Sequence, residues 1–283
     1  MIHSYELSNM FRNLFNKFLF FSYADLIHSG HMQHVKLGKH PPVFDKRTLK
    51  LSFYLKAKLA PPPPTVNWAK PISSWGMMKN DIYGNCTCAA AGHMIMEWTA
   101  NNGNEVVIPD KTILEFYNHF THGEPDTGAS MLAVLKFWRK KGLASHKIQA
   151  FAALEPHNNR EVQNAVNIFG NCYIGLSLPN SVVFPKKDRI RNPWIVPSQG
   201  PIGDAAPNKN NGHCVPAVGY DQHNLYVVTW GIVKPMSWQF YDIYMDEAYA
   251  VLSPDWFNNK THQTPEGFDI TTLMQDLQKI DLS

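Results

Sequence analysis

Two residues of this chain have the type and setting needed for nucleophilic catalysis. Cys86 follows Gly84 and Asn85, a turn and helix start, and heads the run CTCAAAGHMIMEWT. A thiol has a pKa of about 8.5, and a position at a helix N-terminus beside a histidine lowers it to roughly 3.5–7.5. His213 is the candidate for that neighbour. It opens the apolar run HCVPAVGY directly after a polar loop, a position that a strand would bring to the mouth of a cleft. Attack on a carbonyl also needs donors for the developing oxyanion, supplied by the nucleophile's own N–H at the helix start and by a side-chain amide. Asn80, six residues before Cys86, can provide that amide.

The competing chemistry is a zinc site. Cys86, Cys88, His93, His213 and Cys214 together offer enough sulfur and nitrogen for four-coordinate binding. The spacing argues against it, because structural zinc ligands come in pairs two to four residues apart on turns, whereas His213 and Cys214 are adjacent and would point to opposite faces of a strand. His93 lies two helical turns beyond Cys86 and reads as a satisfied core histidine. Cys88, Cys172 and Cys214 read as small buried hydrophobes, with Cys88 the less favoured candidate for the nucleophile.

The elements that must position these groups are legible in outline. Helices are expected over Cys86–Thr99, from Asp110 with apolar residues at 113, 116 and 120, from Gly128 to Gly142, and over Glu161–Phe169. Tyr173–Leu178, Cys214–Tyr220 and Leu225–Trp230 are short, apolar and partly β-branched, the signature of strands. Asn180–Gly212, rich in Pro, Asn and Gly, is expected to be a long loop, and Trp238–Val251 a late helix. Helices first and strands later indicate an α+β fold. Lys46–Lys58 reads as a short helix or strand. Pro61–Pro64 form a stiff extended segment, so the domain is expected over 61–283, with 1–60 as an N-terminal arm or extension.

Composition narrows the function classes. The 283 residues are 44% hydrophobic and 17% charged, which suits a globular chain and not a disordered one. A net charge of +3 creates no strong single-sign field, so nucleic acid is not implied; the Lys186, Lys187, Arg189 and Arg191 cluster reads as a solvated loop. No run of 18 apolar residues occurs, the best being FLFFSY at Phe18–Tyr23, so no membrane span is expected. Met1–Tyr23 only loosely follows a signal peptide. Sparse cysteines suit a reducing compartment or an exported enzyme, with the cytoplasm slightly favoured.

At these residues the chain resembles the papain-like cysteine peptidases. In their pattern a glutamine precedes the nucleophile by six residues, where Asn80 stands relative to Cys86, and the histidine begins a strand His-Ala-Val-x-x-Val-Gly-Tyr, matched by HCVPAVGY. Val66-Asn67-Trp68 resembles their Val-Asp-Trp, and Leu225–Gly231 resembles the strand ending in Asn-Ser-Trp-Gly. The resemblance covers roughly 61–257. It departs at the orienting asparagine, which falls on Val228, with Thr229 in the serine position and Trp230 in register. It departs also at Cys86-Thr87-Cys88, where the family commonly has Cys-x-x-Cys followed by Trp.

The resemblance implies a two-lobed papain-like fold, a helical lobe with a central cysteine-bearing helix and an antiparallel β lobe. It implies hydrolysis of a peptide or amide bond through an acyl-enzyme on Cys86, with His213 as base and then acid, Asn80 at the oxyanion, and Thr229 and Trp230 as orienting or cleft residues. A peptide or protein is the implied substrate, and no metal or organic cofactor is required. The alternative is a noncatalytic module that keeps the scaffold and has lost turnover, motivated by Val228.

Overall fold

In the computed structural model, which describes residues 35–55, 61–122, 126–183, 192–257 and 271, the segment Cys86–Asn101 is a helix buried on every side from Cys86 to Thr99. Its first turns carry Cys, Ala and Gly, so neighbouring groups come close: a methyl on Gly92 would stand 2.6 Å from the Met78 sulfur. A helix apolar all round has to be enclosed. The helices Asp110–Thr121 and Met131–Lys141 pack against it and bury Ile113, Phe116, Leu135 and Trp138.

The second lobe is a sheet of β1 (Leu49–Lys50), β2 (Val66–Asn67), β3 (Ala150–Ala153), β4 (Cys172–Ser177), β5 (Gly212–Tyr220), β6 (Asn224–Thr229), β7 (Ile232–Ser237) and β8 (Met245–Leu252). Its order is β1-β3-β8-β4-β5-β6-β7, with β2 also on β5. The pairings are antiparallel apart from β1 on β3. Every residue of β5 is buried, because the Cys86–Asn101 helix and the Asn159–Phe169 helix both pack against it. The described residues thus form a two-lobed α+β fold: the order of elements implied the α+β class, and the family resemblance implied the two lobes. Among the described residues no helix is long and apolar enough to cross a membrane.

Three expectations need correction. The late helix covers only Trp238–Tyr244, capped by Ser237, and the chain continues as β8. Apolar residues at 241, 244, 248 and 251 fit a helical repeat, but Ala248–Leu252 lie buried in a strand between β3 and β4, where coverage of both faces erases the period-two signal. The segment 180–212 is not structureless. It holds a helical turn at Asn180–Val183, a Trp194 bridge to Met236 and a 3₁₀ turn at Gly203–Ala205, and Gly212 already belongs to β5.

Part of the expected N-terminal arm also packs into the body. Within the expected N-terminal arm, Leu49–Lys50 pairs with Ala152–Ala153 and Leu51 is fully buried in the core of the sheet lobe. Lys46–Lys58 accordingly yields a two-residue strand and a 3₁₀ turn at Leu51–Phe53, with 56–58 outside the described residues. Phe18–Tyr23 and the Lys186–Arg191 cluster also lie outside them.

Replacing Leu51 by Ala should therefore lower the unfolding free energy by about 2–5 kcal/mol, read from the denaturant midpoint at unchanged m-value. An unaltered midpoint would place this stretch outside the core.

Candidate active site

Cys86 takes the first position of the central helix and His213 the second of β5, and each is 1% exposed. What covers them is the segment Lys36–His40. Its Lys36 N–H donates to Asn80 O at 3.0 Å, Gly38 and Lys39 N–H both donate to Gly212 O at 3.1 and 3.0 Å, and His40 N–H donates to Ala129 O at 3.0 Å. Ala129 N–H returns a bond to Gly38 O at 2.8 Å. The segment thus bridges the turn before Cys86, the turn before the Met131–Lys141 helix and the start of β5.

Glycines make this approach possible. A methyl on Gly128 would stand 2.1 Å from Gly38 O, and one on Gly212 would stand 2.0 Å from Lys39 O. Gly38 itself has φ +121°, and a methyl there would meet Gly84 O at 1.9 Å. Asp126 ties two of the turns together: its Oδ1 accepts from Gly84 N–H at 2.7 Å and from Tyr117 O–H at 2.8 Å, and Tyr117 Oη accepts from Gly128 N–H at 2.8 Å.

The His213 ring is held from one side. Its Nε2 is hydrogen-bonded to Thr229 Oγ1 at 2.8 Å, and Trp230 stacks on it with centroids 4.8 Å apart and planes 26° from parallel. Trp194 meets it edge-on at 6.3 Å. Its Nδ1 is buried with no hydrogen-bond partner among the described residues. Thr229 and Trp230 are placed by the β6–β7 hairpin, in which Thr229 faces Ile232 across a two-residue loop. Both loop residues have positive φ, +48° at Trp230 and +74° at Gly231, the conformation a tight hairpin requires. A left-handed tryptophan costs about 1–2 kcal/mol, offset here by the stacking and by its indole N–H donating to Lys36 O at 3.1 Å.

Burial sets the charges. It pushes the Cys86 thiol up to about 12, opposed by N–H groups of Cys214, Thr87 and Lys39 and by the Lys39 charge. It pulls the His213 imidazole down to about 3, and the Lys39 charge acts in the same direction. With the segment in place, both groups are neutral at pH 7, and both feel the same lysine. An open concavity lined by Glu115, Phe116, His119, Phe137 and Leu143 lies elsewhere on the surface of the described residues.

The remaining candidates are accounted for individually. Asn80 is buried beside the covering segment, where its Nδ2 donates to Tyr83 O at 3.0 Å. His93 Nε2 lies 3.1 and 3.2 Å from the carbonyls of Trp75 and Gly76. Cys88 packs beside Thr87, its Sγ 3.9 Å from Oγ1, and Cys172 Sγ donates to Tyr249 O at 3.6 Å. All four thiols are free and buried. Among the described residues no three His, Cys, Asp or Glu side chains converge as metal ligands would.

Sequence reasoning missed Lys39 and its partners Asp246 and Glu247, whose carboxylates lie 3.0 and 3.3 Å from its Nζ. The available signal was a glycine inside a polar Lys-Leu-Gly-Lys-His run ending at Pro41-Pro42, in a stretch with no period.

Replacing Gly38 by Ala should force the segment away from Gly84 and speed alkylation of Cys86 by iodoacetamide at pH 7 at least about tenfold, as more thiolate becomes accessible. Peptide mapping by mass spectrometry checks this, and an unchanged rate would show that the segment is not what protects the thiol. Acid should also destabilise the fold. His93, lowered to about 4 by burial, and His213, lowered to about 3, bind protons more weakly folded than unfolded. As pH falls below about 6.5 the unfolded chain therefore takes up more protons, and stability drops by up to about 1.4 kcal/mol per histidine per pH unit. Denaturant midpoints at pH 7 and pH 5 measure it, and His93→Gln should make the loss shallower.

No protein-family model matches the sequence, and no curated protein matches it. Solved structures do match in fold. The cysteine protease xylellain from Xylella fastidiosa superposes with a TM-score of 0.59 at 15% identity, over 79% of this chain and 98% of that one. Digestive procathepsin L2 proteinase from Tenebrio molitor larval midgut gives 0.55 at 11% identity, over 88% and 90% of the two chains. Procathepsin B S9 from Trypanosoma congolense gives 0.51 at 10% identity, over 87% and 96%. At such identities the likeness is one of architecture, and the chain has the papain-like cysteine protease fold.

Proposed function

We propose that the protein is a cysteine-dependent hydrolase of peptide or amide bonds, with Cys86 as nucleophile and His213 as base. The observation that carries this reading is the ring of His213: Thr229 holds Nε2 and Nδ1 is buried without a hydrogen-bond partner among the described residues, while the N–H of the next residue, Cys214, reaches the Cys86 sulfur. Buried polar groups are ordinarily hydrogen-bonded, so an unpartnered Nδ1 is a nitrogen still free to take a proton.

With the covering segment displaced, water returns and the burial that keeps both groups neutral is relieved. His213 Nδ1 takes the thiol proton, the sulfur adds to the carbonyl, and the oxyanion is held by the Cys86 N–H and the Asn80 amide. The imidazolium then protonates the departing amine, leaving a thioester that water resolves with His213 as base. Thr229, one residue after the position that the family pattern gives to asparagine, is the positioning residue in this scheme. Trp230 shields the ring from one face. The solved structures that share the fold are cysteine proteases or procathepsins by name, in agreement with this chemistry.

A noncatalytic module is the second reading, favoured by the neutral thiol and by Val228 at the orienting position. Cleavage of a peptide library by the Gly38→Ala chain, and its loss in the same chain with Cys86→Ala, separates the two. Thr229→Val should lower kcat about ten- to a hundredfold with little change in KM and shift the pH profile, and Thr229→Ser should recover most of the rate. No cleavage by any chain with an accessible Cys86 would reject the hydrolase.

A further inference from the structure

The Lys39 side chain, 1% exposed, enters a pocket on the sheet lobe. Its Nζ lies 3.0 Å from Asp246 Oδ1 and 3.3 Å from Glu247 Oε1, and it donates to His40 O at 3.0 Å. Neighbouring residues on a strand ordinarily point to opposite faces. Here both carboxylates reach one ammonium, because β8 bulges against β4: Gly175 faces Glu247 and Leu176 faces Met245, which leaves Asp246 as the extra residue. Bulges of this kind re-aim a side chain beside a site.

The rest of the pocket is built around the pair. Ser177 Oγ donates to Asp246 Oδ2 at 2.8 Å, and Tyr249 O–H donates to Glu247 Oε2 at 2.9 Å. A methyl on Gly175 would crowd Met131 Sδ, Glu247 Cγ and Asp246 Oδ1 at 2.7, 2.8 and 2.9 Å, so the glycine keeps the floor open. Two carboxylates facing one ammonium leave an excess negative charge, and Glu247 is only 7% exposed. Once Lys39 withdraws, two like charges stand together with little water, an arrangement that favours any incoming cation.

Lys39 reaches this pocket from a backbone laid across Cys86 and bonded through main-chain groups to Gly212 and Ala129, as a bound peptide would be. We propose that the Asp246–Glu247 pocket is a specificity site for a lysine or arginine side chain of the substrate, which Lys39 occupies in cis in this structure. The inference rests on the hydrolase reading for the word substrate, but the pocket's preference for a cationic peptide can be measured without turnover.

The test uses the full chain carrying Lys39→Met, which keeps the aliphatic stem and vacates the charge, and the Gly38→Ala chain if that variant does not fold. Two probes are compared: a peptide of sequence Lys-Leu-Gly-Lys-His and the same peptide with norleucine in place of its second lysine, binding being followed by tryptophan fluorescence. Position-scanned substrates with the same lysine-to-norleucine exchange report kcat/KM. The expected result is a preference for lysine of about 10- to 100-fold in both readouts, falling to near unity when Asp246→Asn and Glu247→Gln are added. Equal affinity for the two peptides, or binding of neither, overturns the pocket even if substrates are cleaved. Lysine-selective binding with no turnover of any substrate overturns the hydrolase and leaves the pocket standing.

Discussion

The structure depends on one buried seam, where the Cys86–Asn101 helix lies against β5. The helix is enclosed from Cys86 to Thr99 and the strand along its whole length, so neither can shift without opening a void. The seam puts the Cys214 N–H against the Cys86 sulfur and, one residue earlier in the strand, turns His213 toward Thr229 and Trp230. The helical lobe leaves the proposed nucleophile no freedom to wander, and the sheet lobe fixes the proposed base with a hairpin. Side chains locked by packing are what a reactive pair needs to keep its geometry.

The same enclosure works against reactivity. A thiolate needs water or nearby positive charge, and the covering segment removes the first while Lys39 spends its charge on Asp246 and Glu247. Burial dominates both pKa shifts, upward for Cys86 and downward for His213. In the proposed reaction, chemistry and closure are therefore coupled through solvation: lifting a few residues of backbone would change the protonation of two groups at once.

Much of the architecture was legible because it follows from local patterns. The Met131–Lys141 helix is announced by Gly128 before it and Gly142 after it, and β4 and β5 by β-branched and apolar runs between turn residues. The Cys86 and His213 motifs are contiguous in sequence, so they stood out. Lys39 did not, because its partners are more than two hundred residues away and are brought to it by a bulge, a register feature that leaves no trace in composition. Thr229 could be aligned but its bond to the ring could not be derived, since that bond depends on a left-handed Trp230 closing the hairpin. β8 was misread as helix because a strand covered on both faces has no alternation to show.

The residues over Cys86 are joined to the body soon afterwards, at Leu49–Lys50 in the sheet. A tether that short holds its occupant at an effective concentration on the order of millimolar, however few bonds it makes. On the proposed reading, a free peptide must outbid that local supply, and its apparent affinity is its intrinsic affinity multiplied by the unoccupied fraction. Cutting the tether anywhere between His40 and Leu49 would convert this internal competitor into a dilutable one, and the cleft would then answer to ordinary mass action.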